Sequence, residues 1–152
     1  MDRALSPVIG VITLVALTLL LSMTVLGTVT IDVSEPPPRA TFTVSADATT
    51  DTVTLSHRGG ESLDVSRIDI HVTVDDQPLV YQPPVPFFAS DGFKSGPDGA
   101  FNTASPNRLR TGQQTSFQLA TTNSPLIERG STVAVQIVVD NTIIFDTKTT
   151  AN

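Results

Sequence analysis

Two histidines and twelve aspartates are the residues of this sequence that could carry out acid–base or metal chemistry. His57 closes one alternating stretch and His71 lies on the polar side of another, and no third histidine exists to complete a common zinc site. The carboxylates of "DATTD" and "SDGFKSGPDG" could hold a calcium ion near turns, but their spacing differs from that of the helical calcium-binding loop. Structural or solvated roles are therefore favoured for both histidines, and calcium is a weak alternative.

The nucleophile and cofactor motifs of common enzyme families are missing from the sequence. There is no cysteine, and therefore no disulfide, thiolate metal site or cysteine nucleophile. There is no serine elbow, phosphate loop or dinucleotide fingerprint, and no asparagine stands in an N-x-S/T glycosylation motif. The sequence predicts a protein that is not an enzyme, with no catalytic, cofactor-binding or metal residues and no cofactor.

The charge balance excludes several classes of partner. Nine basic residues stand against fifteen acidic ones, which gives a net charge of −6, and only two of the basic residues are lysines. A chain without a basic cluster is not expected to bind nucleic acid. An acidic, lysine-poor surface is typical of proteins from high-salt surroundings, because salt screens self-repulsion and hydrated carboxylates favour solubility.

The N-terminal fifth of the chain is apolar. Residues 8–31 carry no charge, and as a helix they would extend about 36 Å, enough to cross a hydrocarbon layer of about 30 Å. The run is longer than the apolar region of an ordinary secretory signal. Arg3 precedes it and Asp32 follows it, which predicts a membrane-spanning helix with a cytoplasmic N-terminus and the remainder outside.

The rest of the chain reads as β structure behind a proline-rich break. "SEPPPRA" at 34–40 cannot continue a helix, and six alternating stretches follow, the last two separated by the turn pair Asp140–Asn141. The predicted fold class is α+β, a single long N-terminal hydrophobic helix followed by an antiparallel, Ig-like β-sandwich head. Residues 82–110 form a long loop with four of the seven phenylalanines, which either join the core, as we expect, or form a contact surface.

The stretch "RALSPVIGVITLVALTLLLS" resembles the N-terminus of archaeal type IV pilins, particularly those of salt-loving archaea, and "VTLSHRGGESLDVSRIDI" is more loosely similar to the start of their β-rich heads. The resemblance implies a class III signal peptide that a prepilin peptidase cuts between Ala4 and Leu5, after Arg3. The implied domains are a leader at 1–4, a pilin helix at 5–33, a linker at 34–40 and a head at 41–152.

The resemblance also implies that the helix serves first as a membrane anchor and then as the core of a filament. Bacterial pilins usually carry a glutamate where this chain has Ile9, so subunit registration here would depend on apolar and small-residue packing. Small side chains share one stripe of the projected helix, where neighbouring helices could approach closely. The predicted packing residues are Ser6, Pro7, Gly10, Thr13, Leu17, Thr24 and Gly27.

The predicted function is a structural subunit, a major or minor pilin, of an archaeal type IV pilus-like surface filament used for adhesion and biofilm formation. The implied partners are further copies of the chain, the prepilin peptidase, the assembly ATPase with its membrane platform protein, and membrane lipid before assembly. The precursor would lie in the cell membrane and the assembled subunit in an extracellular filament. The alternatives are a membrane-anchored extracytoplasmic β-sandwich binding domain that is neither cleaved nor assembled and, last, an anchored enzyme.

Overall fold

The computed structural model describes residues 5–28 and 36–152, with side chains described for 7–23 and 36–152. The chain divides into two compact units, Met1–Glu35 and Pro36–Asn152. The N-terminal unit contributes one helix, α1, at Leu5–Thr28. The second, which we call the β unit, contains nine strands and two short 3-10 turns at Val65–Arg67 and Gly99–Phe101.

The N-terminal helix departs from the sequence-based prediction. α1 ends at Thr28, and the predicted continuation to residue 33 lies outside the described residues. Within the described part of the chain, no helix combines the length and the hydropathy needed for a membrane crossing.

Two predictions are therefore wrong for the chain as described. The membrane-spanning N-terminal helix, on which the resemblance to archaeal type IV pilins depended, is not supported. The fold class is corrected from α+β with a long hydrophobic helix to mostly antiparallel β structure with one shorter helix. The β-rich character of the larger part of the chain is confirmed and is compatible with a sandwich.

The β unit consists of three antiparallel sheets. The first has the order β1-β2-β7, the second pairs β3 with β6, and the third has the order β5-β4-β8-β9. The strands are β1 Ala40–Asp47, β2 Thr52–Gly60, β3 Leu63–Asp64, β4 Ile68–Val74, β5 Gln77–Pro78, β6 Arg108–Leu109, β7 Gln114–Gln118, β8 Thr132–Val139 and β9 Thr142–Thr150.

Alternation along the long strands produces the core. In β4, β7 and β8 every second side chain is buried, because successive side chains of a strand point to opposite faces of its sheet. Each of these strands therefore has one apolar face turned inward. The inward residues of the sheets join a single hydrophobic cluster that includes Val53, Leu55, Ile70, Val72, Phe117, Val135 and Ile137.

Two-residue turns join neighbouring strands of the four-stranded sheet. Asp140 and Asn141 have φ angles of 47° and 64° and connect β8 to β9, where Val139 pairs with Thr142. Asp75 and Asp76 turn β4 into β5 in the same left-handed conformation. Aspartate and asparagine tolerate this region better than most residues because their short polar side chains can hydrogen-bond locally.

The ends of β1 and β9 are tied together. The N–H of Asn152 donates to the carbonyl of Ala46 at 3.1 Å, and the N–H of Ala48 donates to the carbonyl of Asn152 at 3.0 Å. Nearer the starts of the two strands, the rings of Phe42 and Phe145 meet edge to face at 5.3 Å. The edge of the three-stranded sheet is thus fastened to the chain that leaves the four-stranded one.

Candidate assembly surface

Helix α1 presents apolar side chains on every side. Eleven large hydrophobic residues of its described part are each at least half exposed. An apolar surface this large is unfavourable in water and marks a site of association in most proteins. The exposed residues are Val8, Ile9, Val11, Ile12, Leu14, Val15, Leu17, Leu19, Leu20, Leu21 and Met23.

The three hydroxyl groups in the part of α1 with described side chains are satisfied within the helix itself. Thr13 donates to the carbonyl of Ile9, Thr18 to that of Val15 and Ser22 to that of Thr18, each at 2.8 Å. A buried hydroxyl without a partner would oppose burial of the helix. Because these three hydroxyls have partners inside the helix, α1 can enter an apolar environment without leaving them unsatisfied.

The predicted packing stripe is only partly described. Pro7 lies in the first turn of α1, where the lack of an N–H costs little, and Gly10, Thr13 and Leu17 follow. A Cβ added at Gly10 would meet nothing within 4 Å, so the isolated helix does not require glycine there.

The remaining predicted residues of this region have no described side chains. Leu5, Ser6, Thr24 and Gly27 belong to the helix, but their side chains lie outside the described set. Arg3 and Ala4, the predicted cleavage residues, lie outside the described residues altogether. Cleavage between Ala4 and Leu5 therefore stays a prediction.

Three of the four carboxylates considered for calcium accept hydrogen bonds from groups of the β unit. Asp47 accepts the N–H of Thr49 at 2.7 Å, and Asp51 accepts the N–H of Ile127 at 3.1 Å. Asp98 accepts the hydroxyl of Ser116 at 3.2 Å. Among the described residues, no cluster of three or more histidine and acidic side chains has the arrangement of a metal site.

The two histidines have different surroundings. His71 is exposed on β4, whereas His57 is 1% exposed and its ring stacks on Phe42 with centroids 4.9 Å apart. Neither ring nitrogen of His57 has a hydrogen-bond partner among the described residues. His57 thus acts as an aromatic filler of the core, and its position gives no support to a catalytic or ligating role.

One exposed ion pair shifts the pKa of both of its groups. Lys148 donates to Asp76 at 2.8 Å. This hydrogen bond, with the attraction between the charges, holds the pKa of the Asp76 carboxyl below its ordinary value and raises the pKa of the Lys148 ammonium. Both side chains are largely exposed, so the pair contributes little to stability.

The long loop divides its phenylalanines between core and surface. Phe87, Phe93 and Phe101 are buried, as expected, while Phe88 is 60% exposed. The loop is not free of structure, because Phe87 bridges Asn102, Phe93 bridges Leu119 and Asp98 bridges Ser116. The bridges of Phe93 and Asp98 therefore anchor the loop to the chain at and just after β7.

A second exposed feature, centred on Tyr81, was missed in the sequence. Tyr81 is 42% exposed, and the main chain around it is held by the side chain of Asn123, which is itself 3% exposed. Tyr81 and Asn123 are far apart in the chain, so no local pattern could bring them together. The only available signal was that Tyr81 is the single tyrosine.

A shallow groove lies at the start of the β unit. It has a volume of about 420 Å³ and is lined by Pro36–Thr41, Gly60, Ile143 and Ile144. Gly60 has φ +100°, and a Cβ there would lie 2.2 Å from the carbonyl oxygen of Arg39. Glycine is therefore required at the end of β2, where the backbone at Arg39 passes close to it.

No protein-family model matches the chain, and no curated protein matches it either.

Proposed function

We propose that this protein is a structural subunit of a pilus-like surface filament used for adhesion. Its α1 helix is buried among the helices of other copies, and its acidic β unit, which we take to be a sandwich, remains in contact with solvent. The observation that carries the proposal is the exposure of eleven large apolar side chains on one helix.

The chemistry of α1 supports association with identical helices. The helix has no acidic residue in its first turn and no basic residue in its last, so it brings no charge that would need a partner when water is removed. The hydroxyls of Thr13, Thr18 and Ser22, in the part of the helix with described side chains, are satisfied internally. An uncharged helix that is apolar all round is buried either within a protein assembly or in lipid.

The β unit supports a role outside the contact between helices. Its strands bury an apolar core, and most of the protein's 15 acidic residues belong to it. Like charges on neighbouring copies repel one another, and this repulsion keeps the exposed units soluble and apart. An open head-to-tail repeat of such subunits gives a filament when the rotation between copies does not close.

The test is a pair of substitutions that add the same bulk at two places on α1. Gly10→Leu fills the position where a Cβ meets nothing in the isolated subunit. Ala16→Leu adds a similar volume on a part of the helix surface separated from Gly10 by about 120°. We expect Gly10→Leu to reduce the sedimentable filament fraction about tenfold and Ala16→Leu to reduce it much less.

The control is the circular dichroism melt of the β unit, which both variants should leave unchanged. Equal filament yields for wild type and Gly10→Leu would show that the predicted stripe is not the contact. Monodisperse wild-type protein at high concentration would remove assembly altogether, and would favour the alternative of a β-sandwich binding domain that does not assemble.

A further inference from the structure

Three segments of the β unit meet around the side chain of Asn123. Its Oδ1 accepts the N–H of Tyr81 at 3.1 Å and that of Ser124 at 3.0 Å. Its Nδ2 donates to the carbonyls of Tyr81 at 3.0 Å and Gly92 at 3.2 Å. Four hydrogen bonds from one buried amide therefore fix the backbone on both sides of a single tyrosine.

Gln82 and Gly92 further restrict the backbone around Tyr81. Gln82 accepts the N–H of Val72 at 2.7 Å and donates to its carbonyl at 3.0 Å, which ties the chain after Tyr81 to β4. Gly92 has φ +80°, and a Cβ there would lie 2.8 Å from the Cβ and Cδ2 atoms of Tyr81. The tyrosine side chain thus lies directly against a backbone that only glycine allows.

What this framework holds at the surface is a small apolar platform. We use the name tyrosine platform for Val80, Tyr81 and Leu126, which are 69%, 42% and 36% exposed. The N–H of Val80 donates to the carbonyl of Ser124 at 2.9 Å, so the segments that carry these three side chains are adjacent. Four polar residues close in sequence to Gly92 and Asn123 are also exposed, namely Asp91, Thr121, Thr122 and Ser124.

We propose that the tyrosine platform binds a neutral carbohydrate. The Tyr81 ring packs against the apolar face of a pyranose, and the exposed hydroxyls and the Asp91 carboxylate hydrogen-bond to sugar hydroxyls. A ligand site of this kind combines an apolar floor with a few placed polar groups. The buried amides of Asn123 and Gln82 pre-order the backbone, so little ordering is left for the binding step.

Size and charge favour a sugar over the other partners. A stable protein interface needs about 800 Å² on each side, far more than three side chains provide, whereas a single sugar ring is of their size. The Asp91 carboxylate and the net charge of −6 oppose acidic glycans and nucleic acids. The proposal does not depend on helix assembly, since each residue it uses belongs to the β unit.

The single tyrosine makes the test direct. The protein has no tryptophan, so its intrinsic tyrosine fluorescence comes from Tyr81 alone. Titrating the full-length protein with dextran, mannan and laminarin should give a saturable change in emission with at least one of them. Sulfated dextran, which has the same backbone with added negative charge, should give at least a tenfold weaker response than dextran if dextran is the ligand.

Retardation in gels that contain the responding polysaccharide gives a second readout for variants. Tyr81→Phe keeps the ring and should bind within about threefold of wild type, while Tyr81→Ala should lose at least tenfold in affinity. Asp91→Asn should lose severalfold. Ile143→Ala, which removes an exposed apolar side chain from β9, should bind as wild type.

Circular dichroism melts confirm that each variant is folded before its binding is compared. The proposal is overturned if none of the three neutral polysaccharides changes the emission or retards the protein. It is equally overturned if folded Tyr81→Ala binds as wild type, or if Ile143→Ala loses as much as Tyr81→Ala. Filament yield should be the same for Tyr81→Ala and wild type, which separates failure of this site from failure of assembly.

Discussion

Helix α1 and the β unit are both rich in aliphatic residues, but they differ in how far those side chains are buried. Leu17 of α1 is 55% exposed, whereas Leu55 of β2 is completely buried. The β unit completes its core with residues of its own strands. The described part of α1 retains its apolar surface. Apolar burial within the β unit therefore stabilises the folded chain. The apolar surface of α1 contributes hydrophobic free energy only when another molecule covers it.

The largest effect on stability is expected when the same substitution, leucine to alanine, is made in each region. Leu55→Ala should lower the free energy of unfolding of the β unit by about 2–5 kcal/mol, because it removes buried methyl groups and leaves a cavity. Leu17→Ala should change it by less than about 0.5 kcal/mol, as exposed positions do. Denaturant unfolding followed by the β signal in circular dichroism measures both. Equal losses would contradict the separation of the two regions.

A smaller effect is expected at the turn between β8 and β9. Asn141 has φ 64°, and valine in this left-handed conformation should cost about 1–2 kcal/mol in unfolding free energy. Asn141→Gly is the matched control and should be nearly neutral, since glycine adopts this conformation readily. The comparison is between the two denaturation midpoints. A valine variant as stable as the glycine variant would mean that the turn rearranges.

Substitution of His57 should change stability in the opposite direction from substitutions at other core positions. Both of its ring nitrogens are buried without a partner in the described part of the chain, which is unfavourable for any polar group. His57→Leu removes these atoms and should leave stability unchanged or raise it by about 1 kcal/mol, even though the contact with Phe42 is lost. Thermal melts at neutral pH would measure this. A loss of 2 kcal/mol or more would instead assign the ring a polar role.

The smallest expected effect is on pH dependence, and it should be confined to the β unit. Asp64 accepts the hydroxyl of Ser66 at 2.6 Å and its N–H at 3.0 Å, and these hydrogen bonds lower the pKa of the Asp64 carboxyl from 3.8. The stabilisation is therefore complete above the ordinary pKa and is lost as pH falls through the lowered value. Asp64→Asn should slightly weaken the dependence of the melting temperature on pH below about pH 4.

Helix α1 provides the contrast for that measurement. The sequence of the helix contains no titratable side chain, so assembly through it should be the same across this pH range once the charge of the β unit is screened by salt. A filament yield that followed the Asp64 titration would indicate that the β units also take part in the contact.

The sequence predicted local features well and long-range ones poorly. The alternating stretches became β1, β2, β4, β7, β8 and β9, because the period of two directly reflects a strand with one buried face. The turn at Asp140–Asn141 was also recognisable from its residue types. The two-residue strands β3, β5 and β6 were missed, since pairings this short have no pattern of their own.

The sites were harder to predict than the fold. Hydropathy located the helix, but the prediction that it spans a membrane is not supported for the described residues. The arrangement around Tyr81 depends on Asn123, 42 residues further along the chain. The exposed state of Phe88 beside the buried Phe87 also follows from how the loop is anchored, which residue type alone cannot reveal.

The outer strands of the described sheets bear on what happens when many copies are crowded together. β1 faces a bulge of β2 at Arg58, opposite Thr41 and Phe42, and is tied at its end to Asn152. β9 itself has a bulge at Ile144, opposite Ile137 and Val138. β5 is two residues long and ends in proline, and β7 is bridged by Asp98. Bulges, prolines and short strands prevent one sheet from continuing into the next. Copies held at high local concentration by their helices would therefore resist amyloid-like fusion of their sheets.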